Sequence, residues 1–128
     1  MDGGRGDALI PAALLAEVYA HAREAFPAEC CGYLTGARVV RCTNVDASAT
    51  SFAIGGRELL DFARSFDGPE PARILYHSHT NGRAYISATD RAQAGGYPVR
   101  HLVVGVTAEG ITEAALFDEG FVELGRWC

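Results

Sequence analysis

Four side chains that could bind or assist a metal ion lie close together in this sequence: His77, His79, Ser87 and Asp90. Two neutral imidazoles and one carboxylate suit zinc, at ligand distances of roughly 2.0–2.2 Å. Three protein ligands leave one coordination position open, and catalytic zinc sites use that position to hold a water molecule. The spacing therefore predicts a catalytic metal site rather than a structural one.

The segments around these residues are expected to bring them together. Residues 73–76 form an apolar run that reads as a strand, and side chains two apart on a strand point to the same side. His77 and His79 should therefore share one face. Residues 87–94 read as a short helix, with Ser87 as its N-cap and Asp90 at the third helical position. Alone, that pair would be an ordinary helix start, but a capped helix start can also hold a ligand rigidly.

The order of these residues resembles the signature of the JAMM (MPN+) zinc metallopeptidases, an upstream glutamate followed by His-x-His-x(7)-Ser-x-x-Asp. An upstream glutamate is present as Glu29, in the segment Pro-Ala-Glu-Cys-Cys-Gly-Tyr-Leu-Thr-Gly at residues 27–36. This segment is similar to the opening of the first strand in the bacterial branch of the family. The resemblance extends from about Leu9 to Phe117, with the motifs in the family's order.

The resemblance implies a role for each residue of the motif. His77, His79 and Asp90 would bind one zinc ion per chain. Glu29 would act as general base and then as general acid without binding the metal. Ser87 would donate a hydrogen bond to the developing oxyanion, a contact worth roughly 2.7–4 kcal/mol elsewhere. Ser87 is not expected to be a nucleophile, because no base partner is adjacent to it in the sequence.

The residue after the second histidine points to a particular branch of the family. Deubiquitinating members usually have proline there, whereas this chain has Thr80. The chain looks instead like the bacterial peptidases that release cysteine, or a few terminal residues, from behind the Gly-Gly of ubiquitin-like sulfur-carrier proteins. Asn44 matches the family's pattern and is expected in the substrate groove. Thr80 and Asn81 lie on the loop between the metal ligands and are expected to contact the substrate tail.

Three other functions are less favoured than that of a carrier peptidase. An isopeptidase or deubiquitinase-like enzyme is disfavoured, because 128 residues leave no room for the insertions that grip a second ubiquitin. A non-catalytic MPN scaffold is disfavoured, because scaffolds lose the metal ligands that are present here. A zinc nucleoside deaminase would need a Pro-Cys-x-x-Cys ligand pair, which this sequence lacks.

The length and composition of the chain exclude several other classes of protein. A chain of 128 residues with 48% hydrophobic residues is expected to be one domain, at residues 9–128, after a flexible tail at residues 1–8. The net charge of −5 and scattered arginines argue against a nucleic-acid partner. The lack of an apolar run of roughly 18 residues argues against a membrane span, and the lack of a signal peptide favours the cytoplasm. The sequence leaves homodimerisation open.

The cysteines and the remaining histidines are expected to be structural. The four cysteines show no C-x-x-C spacing, so a structural zinc knuckle is not expected. Cys31 and Cys42 should face each other across a hairpin and act as small buried hydrophobes, whereas Cys128 is read as an incidental exposed thiol. His21 and His101 have no ligand partner at close spacing and are interpreted as structural or exposed.

The apolar periodicity predicts a mixed α/β (α+β) fold. Helices are expected at residues 11–25, 57–66 and 87–94. Besides the strand that carries the histidines, strands are expected at residues 31–35, 38–44, 50–54, 100–106, 111–117 and 121–124. The family's fold, a curved and mostly antiparallel sheet flanked by helices, fits this order.

Overall fold

The computed structural model describes residues 9–46 and 52–127. The predicted flexible tail at residues 1–8 and the terminal Cys128 lie outside this range. The predicted domain limits therefore remain predictions. Within the described part of the chain, no helix is long and apolar enough to cross a membrane.

The elements follow one another as the mixed α/β prediction requires. The helices are α1 (Ala12–Ala25), α2 (Gly56–Ser65) and α3 (Ala88–Ala94). The strands are β1 (Cys31–Leu34), β2 (Val39–Cys42), β3 (Ile74–His79), β4 (Arg100–Thr107), β5 (Gly110–Phe117) and β6 (Glu123–Trp127).

The strands form a six-stranded open sheet in the order β2-β1-β3-β4-β5-β6. Neighbouring strands are antiparallel except β3 and β4, which are parallel. A parallel pair needs a crossover, and the chain between β3 and β4 makes it through the loop after His79 and helix α3. This crossover brings α3 back towards the end of β3. The predicted fold class, a mostly antiparallel sheet with helices, is confirmed.

The two faces of the sheet differ in what covers them. Helix α1 buries Leu14 and Val18 against one face, where they join a cluster with Tyr76 and Leu102. Helix α2 buries Phe62 towards a second cluster. Because side chains alternate along a strand, β3 gives Ile74 and Tyr76 to the α1 cluster and Leu75 to the α2 cluster. His77 and His79 continue on the side of Leu75, away from α1.

Several predicted boundaries need correction. The strand expected at residues 50–54 lies partly outside the described residues. Among its described residues, 52–54, the β pairing is a single bridge between Asn44 and Ile54. The last strand begins at Glu123 rather than at residue 121, because Phe121 adopts a φ of 66° within a turn held by Asp118. That left-handed conformation cannot continue a strand, and apolar spacing alone does not reveal it.

Candidate metal centre

Strand β3 and helix α3 bring three potential metal ligands to one point. The Nε2 atoms of His77 and His79 are 3.2 Å apart. Each lies 3.0 Å from Oδ2 of Asp90. All three side chains are buried, and together they form a group that could hold a metal ion. The prediction that period-two spacing places both imidazoles on one face is confirmed.

The dimensions and charge of this group fit a small divalent cation. Tetrahedral ligands at 2.0–2.1 Å from zinc are separated by about 3.3–3.4 Å, close to the distances between these three donor atoms. Burial lowers the pKa of His77, which favours the neutral imidazole that binds metals. Burial opposes ionisation of Asp90, but hydrogen bonds from His77 and His79 outweigh it and hold the pKa of this carboxyl well below its usual range. The group thus presents two imidazole nitrogens and one carboxylate.

Helix α3 begins with a capping box that fixes Asp90. The Ser87 hydroxyl oxygen accepts a hydrogen bond from the Asp90 N–H at 3.0 Å, and Asp90 Oδ2 accepts one from the Ser87 N–H at 3.0 Å. The predicted N-cap is therefore present. Since a hydroxyl carries one donor and two lone pairs, Ser87 still has its O–H for another acceptor. Its contact with a substrate oxyanion stays a prediction.

The pairing of β1 with β3 places Glu29 beside the metal ligands. Cys31 pairs with His77 in an antiparallel register, and the chain just before Cys31 brings Glu29 close enough for His79 and Asp90 to act on its carboxyl. Two hydrogen bonds hold this extension: the Ser78 N–H donates to the Cys30 carbonyl, and the Cys30 N–H donates to the Ser78 hydroxyl oxygen. The sequence motif gave no sign of this role for Ser78, which faces away from the metal ligands.

The carboxyl of Glu29 has the environment of an acid–base group. It is buried, and its Oε1 has no hydrogen-bond partner among the described residues. Burial raises its pKa to about 7; nearby His79 opposes this rise and Asp90 adds to it. A carboxyl with a pKa near neutrality can both accept and return a proton.

Two aromatic side chains that sequence reasoning missed support the imidazoles. Phe52 stacks on His77, with ring centroids 4.5 Å apart and planes 18° apart. Tyr85 meets His79 edge-on, with centroids 4.6 Å apart. Nothing in the local sequence signals the contact of Phe52, because it arises only when the chain before α2 returns to the sheet. The contact of Tyr85 could have been suspected from the sequence, since Tyr85 lies on the loop between the ligands.

The three predicted substrate contacts have different surroundings. The Asn44 Nδ2 donates to the Glu29 carbonyl at 3.0 Å, and its Oδ1 accepts from the Ala53 N–H, so this side chain holds the backbone around Glu29. Asn81 is exposed and donates to the Tyr85 hydroxyl at 3.4 Å. Thr80 is half-buried directly after His79. Their contacts with substrate stay predictions.

Among the described residues, the remaining histidines and cysteines lie outside the metal group. His21 hydrogen-bonds the Tyr76 hydroxyl at 2.6 Å on the α1 side. His101 is buried and stacks on Phe121 at 4.6 Å, and burial lowers its pKa to about 4. Cys31 and Cys42 pair across the β1–β2 hairpin as predicted, and both are free and buried.

Comparison with known proteins decides the family. The family model described as prokaryotic homologs of the JAB domain matches residues 11–117. The chain belongs to this family. This match confirms the resemblance to the JAMM/MPN family.

Individual proteins similar to this chain are also known. The chain is 37% identical over 90 residues to proteins named CysO-cysteine peptidase from Mycobacterium bovis and Mycobacterium tuberculosis. The match covers 64% of this chain and 62% of each relative, so the chain spans under two thirds of the length of these relatives.

Solved structures agree with the fold. A protein of Desulfitobacterium hafniense, known from a solution structure, is 25% identical with a TM-score of 0.64, over 91% of this chain and 85% of that one. A JAB1/MPN domain protein from Archaeoglobus fulgidus has a TM-score of 0.53 at 15% identity, over 87% of this chain and 89% of that one, which shows a shared fold.

Proposed function

We propose that this protein is a zinc-dependent peptidase of the cytoplasm. It hydrolyses the bond after the C-terminal Gly-Gly of a ubiquitin-like sulfur-carrier protein and releases cysteine or a short C-terminal extension. The observation that carries this proposal is the meeting of His77, His79 and Asp90 beside a buried Glu29. The name of the mycobacterial relatives supports a conjugate of a carrier with cysteine as the substrate.

His77, His79 and Asp90 would hold one zinc ion per chain through Nε2, Nε2 and Oδ2. When bound, zinc supplies a Lewis acid that polarises the scissile carbonyl and lowers the pKa of water. The capping box and the two aromatic rings keep these three ligands in place before any ion binds. Such preorganisation lowers the cost of assembling the site.

Glu29 would move the proton during hydrolysis. Its carboxylate takes a proton from the attacking water and returns it to the leaving amine. The water oxygen bonds to the glycine carbonyl carbon and the carbon–nitrogen bond breaks, so the products are a carrier carboxylate and a free amine. The hydrogen bond from Asn44 to the Glu29 carbonyl and the pairing of Cys30 with Ser78 keep this carboxyl directed at the site.

The Ser87 hydroxyl would donate a hydrogen bond to the oxyanion that forms at the carbonyl carbon. Its oxygen already accepts from the Asp90 N–H, which orients the hydroxyl at the helix start. The substrate tail would pass between the Glu29 segment and the loop that carries Thr80 and Asn81. Glycines suit this path, because they carry no side chain and can lie extended along a strand edge.

Cleavage of a carrier conjugate tests this function directly. The CysO-cysteine conjugate in the relatives' name serves as the probe, and intact-mass spectrometry follows the loss of the terminal cysteine. We expect cleavage that stops when the metal is chelated. Replacing the penultimate glycine of the carrier with alanine should reduce the rate far more than replacing the released residue.

An isopeptidase would behave differently in the same assay. Ready cleavage of lysine-linked ubiquitin chains, with the Gly-Gly-Cys carrier left intact, would replace the present proposal with that function. A protein that cleaves neither substrate while it holds a full complement of zinc would contradict both.

A further inference from the structure

A groove of about 580 Å³ lies next to the metal group. It is lined by residues 81–85 of the loop after β3 and by Glu113 on β5 and Arg126 on β6. Tyr85 connects the groove to the site, because its ring both lines the groove and lies edge-on against His79. Tyr85 is therefore shared by the groove and the metal group.

The loop that forms the groove is fixed to the sheet. A Cβ atom at Gly105 would lie only 2.5 Å from the carbonyl of Gly82, so the loop and β4 meet backbone to backbone. The Thr112 hydroxyl donates to the Gly82 carbonyl, and the Ala84 N–H donates to Glu113 Oε2 at 2.8 Å. The groove is thus formed before a ligand arrives.

The two arginines that line the groove differ in their partners. Arg126 forms ion pairs with Glu113 at 3.1 Å and with Glu123 at 2.9 Å. Arg83 is exposed, and over residues 9–46 and 52–127 its side chain has no ion-pair or hydrogen-bond partner. A guanidinium presents a planar pair of N–H donors that matches a carboxylate.

We propose that this groove binds the residue released by cleavage and that Arg83 recognises its free α-carboxylate. The inference rests on the proposed peptidase function and names the substrate class: carriers that end in a single residue after Gly-Gly. In such a substrate the terminal carboxyl carbon lies only about 2.5 Å from the scissile nitrogen. The carboxylate therefore stays beside the scissile bond, and the proposal requires Arg83 to bind it at the end of the groove that Tyr85 shares with His79. A lysine side-chain linkage has no carboxylate in this position.

The test compares two forms of one probe, the CysO-cysteine conjugate with a free C-terminal carboxylate and the same conjugate with a C-terminal amide. Wild-type protein, Arg83→Gln, Arg83→Lys and a control, Arg23→Gln, are assayed for kcat/KM on both. Arg23 is an exposed arginine on α1, across the sheet from the groove.

We expect wild type and Arg23→Gln to cleave the acid faster than the amide by roughly 10- to 100-fold, the range for a hydrogen bond to a charged group. Arg83→Gln should no longer distinguish the two, and Arg83→Lys should recover part of the preference. Equal rates on acid and amide by wild type, or a preference that survives in Arg83→Gln, would overturn this inference and leave the peptidase function standing. If wild type cleaves neither form, the peptidase function itself fails.

Discussion

The two faces of the sheet differ in the hydrogen bonding of their buried polar side chains. On the α1 face, the Tyr76 hydroxyl pairs with His21 at 2.6 Å and the Trp127 indole N–H donates to the Tyr19 hydroxyl at 2.8 Å. On the other face, buried side-chain atoms of Glu29, His79 and His101 have no hydrogen-bond partner among the described residues.

This difference suggests that one face of the sheet serves the chemistry and the other the stability of the fold. A buried polar atom without a partner costs roughly 1–3 kcal/mol. The face with the metal group therefore has a lower stability, but its Glu29 and imidazoles stay available for proton transfer and metal binding. The α1 face holds a large apolar cluster, and on that face no buried side-chain polar atom of the described residues lacks a hydrogen-bond partner. We therefore expect substitutions on the metal-group face to alter metal content and rate, and substitutions on the α1 face to alter the free energy of unfolding.

The largest effect should come from removing a ligand. His77→Ala or Asp90→Ala takes away one of three donors, so zinc content should fall from about one per chain to near zero and cleavage should stop. Metal analysis and the mass-spectrometric assay measure both. His21→Gln is the matched control on the α1 face and should keep its zinc; full zinc in both ligand variants would disprove the assigned site.

Replacing Glu29 should separate metal binding from chemistry. Glu29→Gln keeps the shape of the side chain but cannot carry a proton, so we expect full zinc content and a kcat lower by roughly 10²- to 10⁴-fold. Chemical denaturation serves as the control, because an amide in place of a buried carboxyl should leave the free energy of unfolding equal or higher. Near-normal turnover would mean that another group moves the proton.

A core substitution on the α1 face should lower the free energy of unfolding and leave metal binding unchanged. Leu102 is fully buried in the α1 cluster, and Leu102→Ala should lower the free energy of unfolding by about 2–5 kcal/mol. The folded fraction should still bind about one zinc per chain. Loss of zinc from folded Leu102→Ala would show that the two faces are coupled through the sheet.

The smallest effect should follow the loss of one hydrogen bond on the α1 face. Tyr19→Phe removes the hydroxyl that accepts from the Trp127 indole, and we expect a loss of about 1 kcal/mol in stability with kcat/KM within twofold of wild type. Thermal denaturation and the cleavage assay measure the two quantities. A large drop in kcat/KM would contradict the proposal that the α1 face affects stability and not catalysis.

The sequence by itself determined the local geometry of the ligands. Period-two spacing placed His77 and His79 on one side of β3, and the Ser-x-x-Asp spacing produced the capping box that fixes Asp90. These outcomes depend on a few neighbouring residues, so pattern and propensity suffice to predict them. The helix and strand order followed in the same way, apart from residues 50–54 and 121–124.

Only the tertiary structure decided what surrounds those ligands. The pairing of β1 with β3 brings Glu29 beside the metal ligands, and the return of the chain before α2 stacks Phe52 on His77. The contact of Gly82 with Gly105 forms the groove that holds Arg83. These contacts join residues far apart in the chain, and their distances depend on sheet register and close packing, which no local pattern encodes.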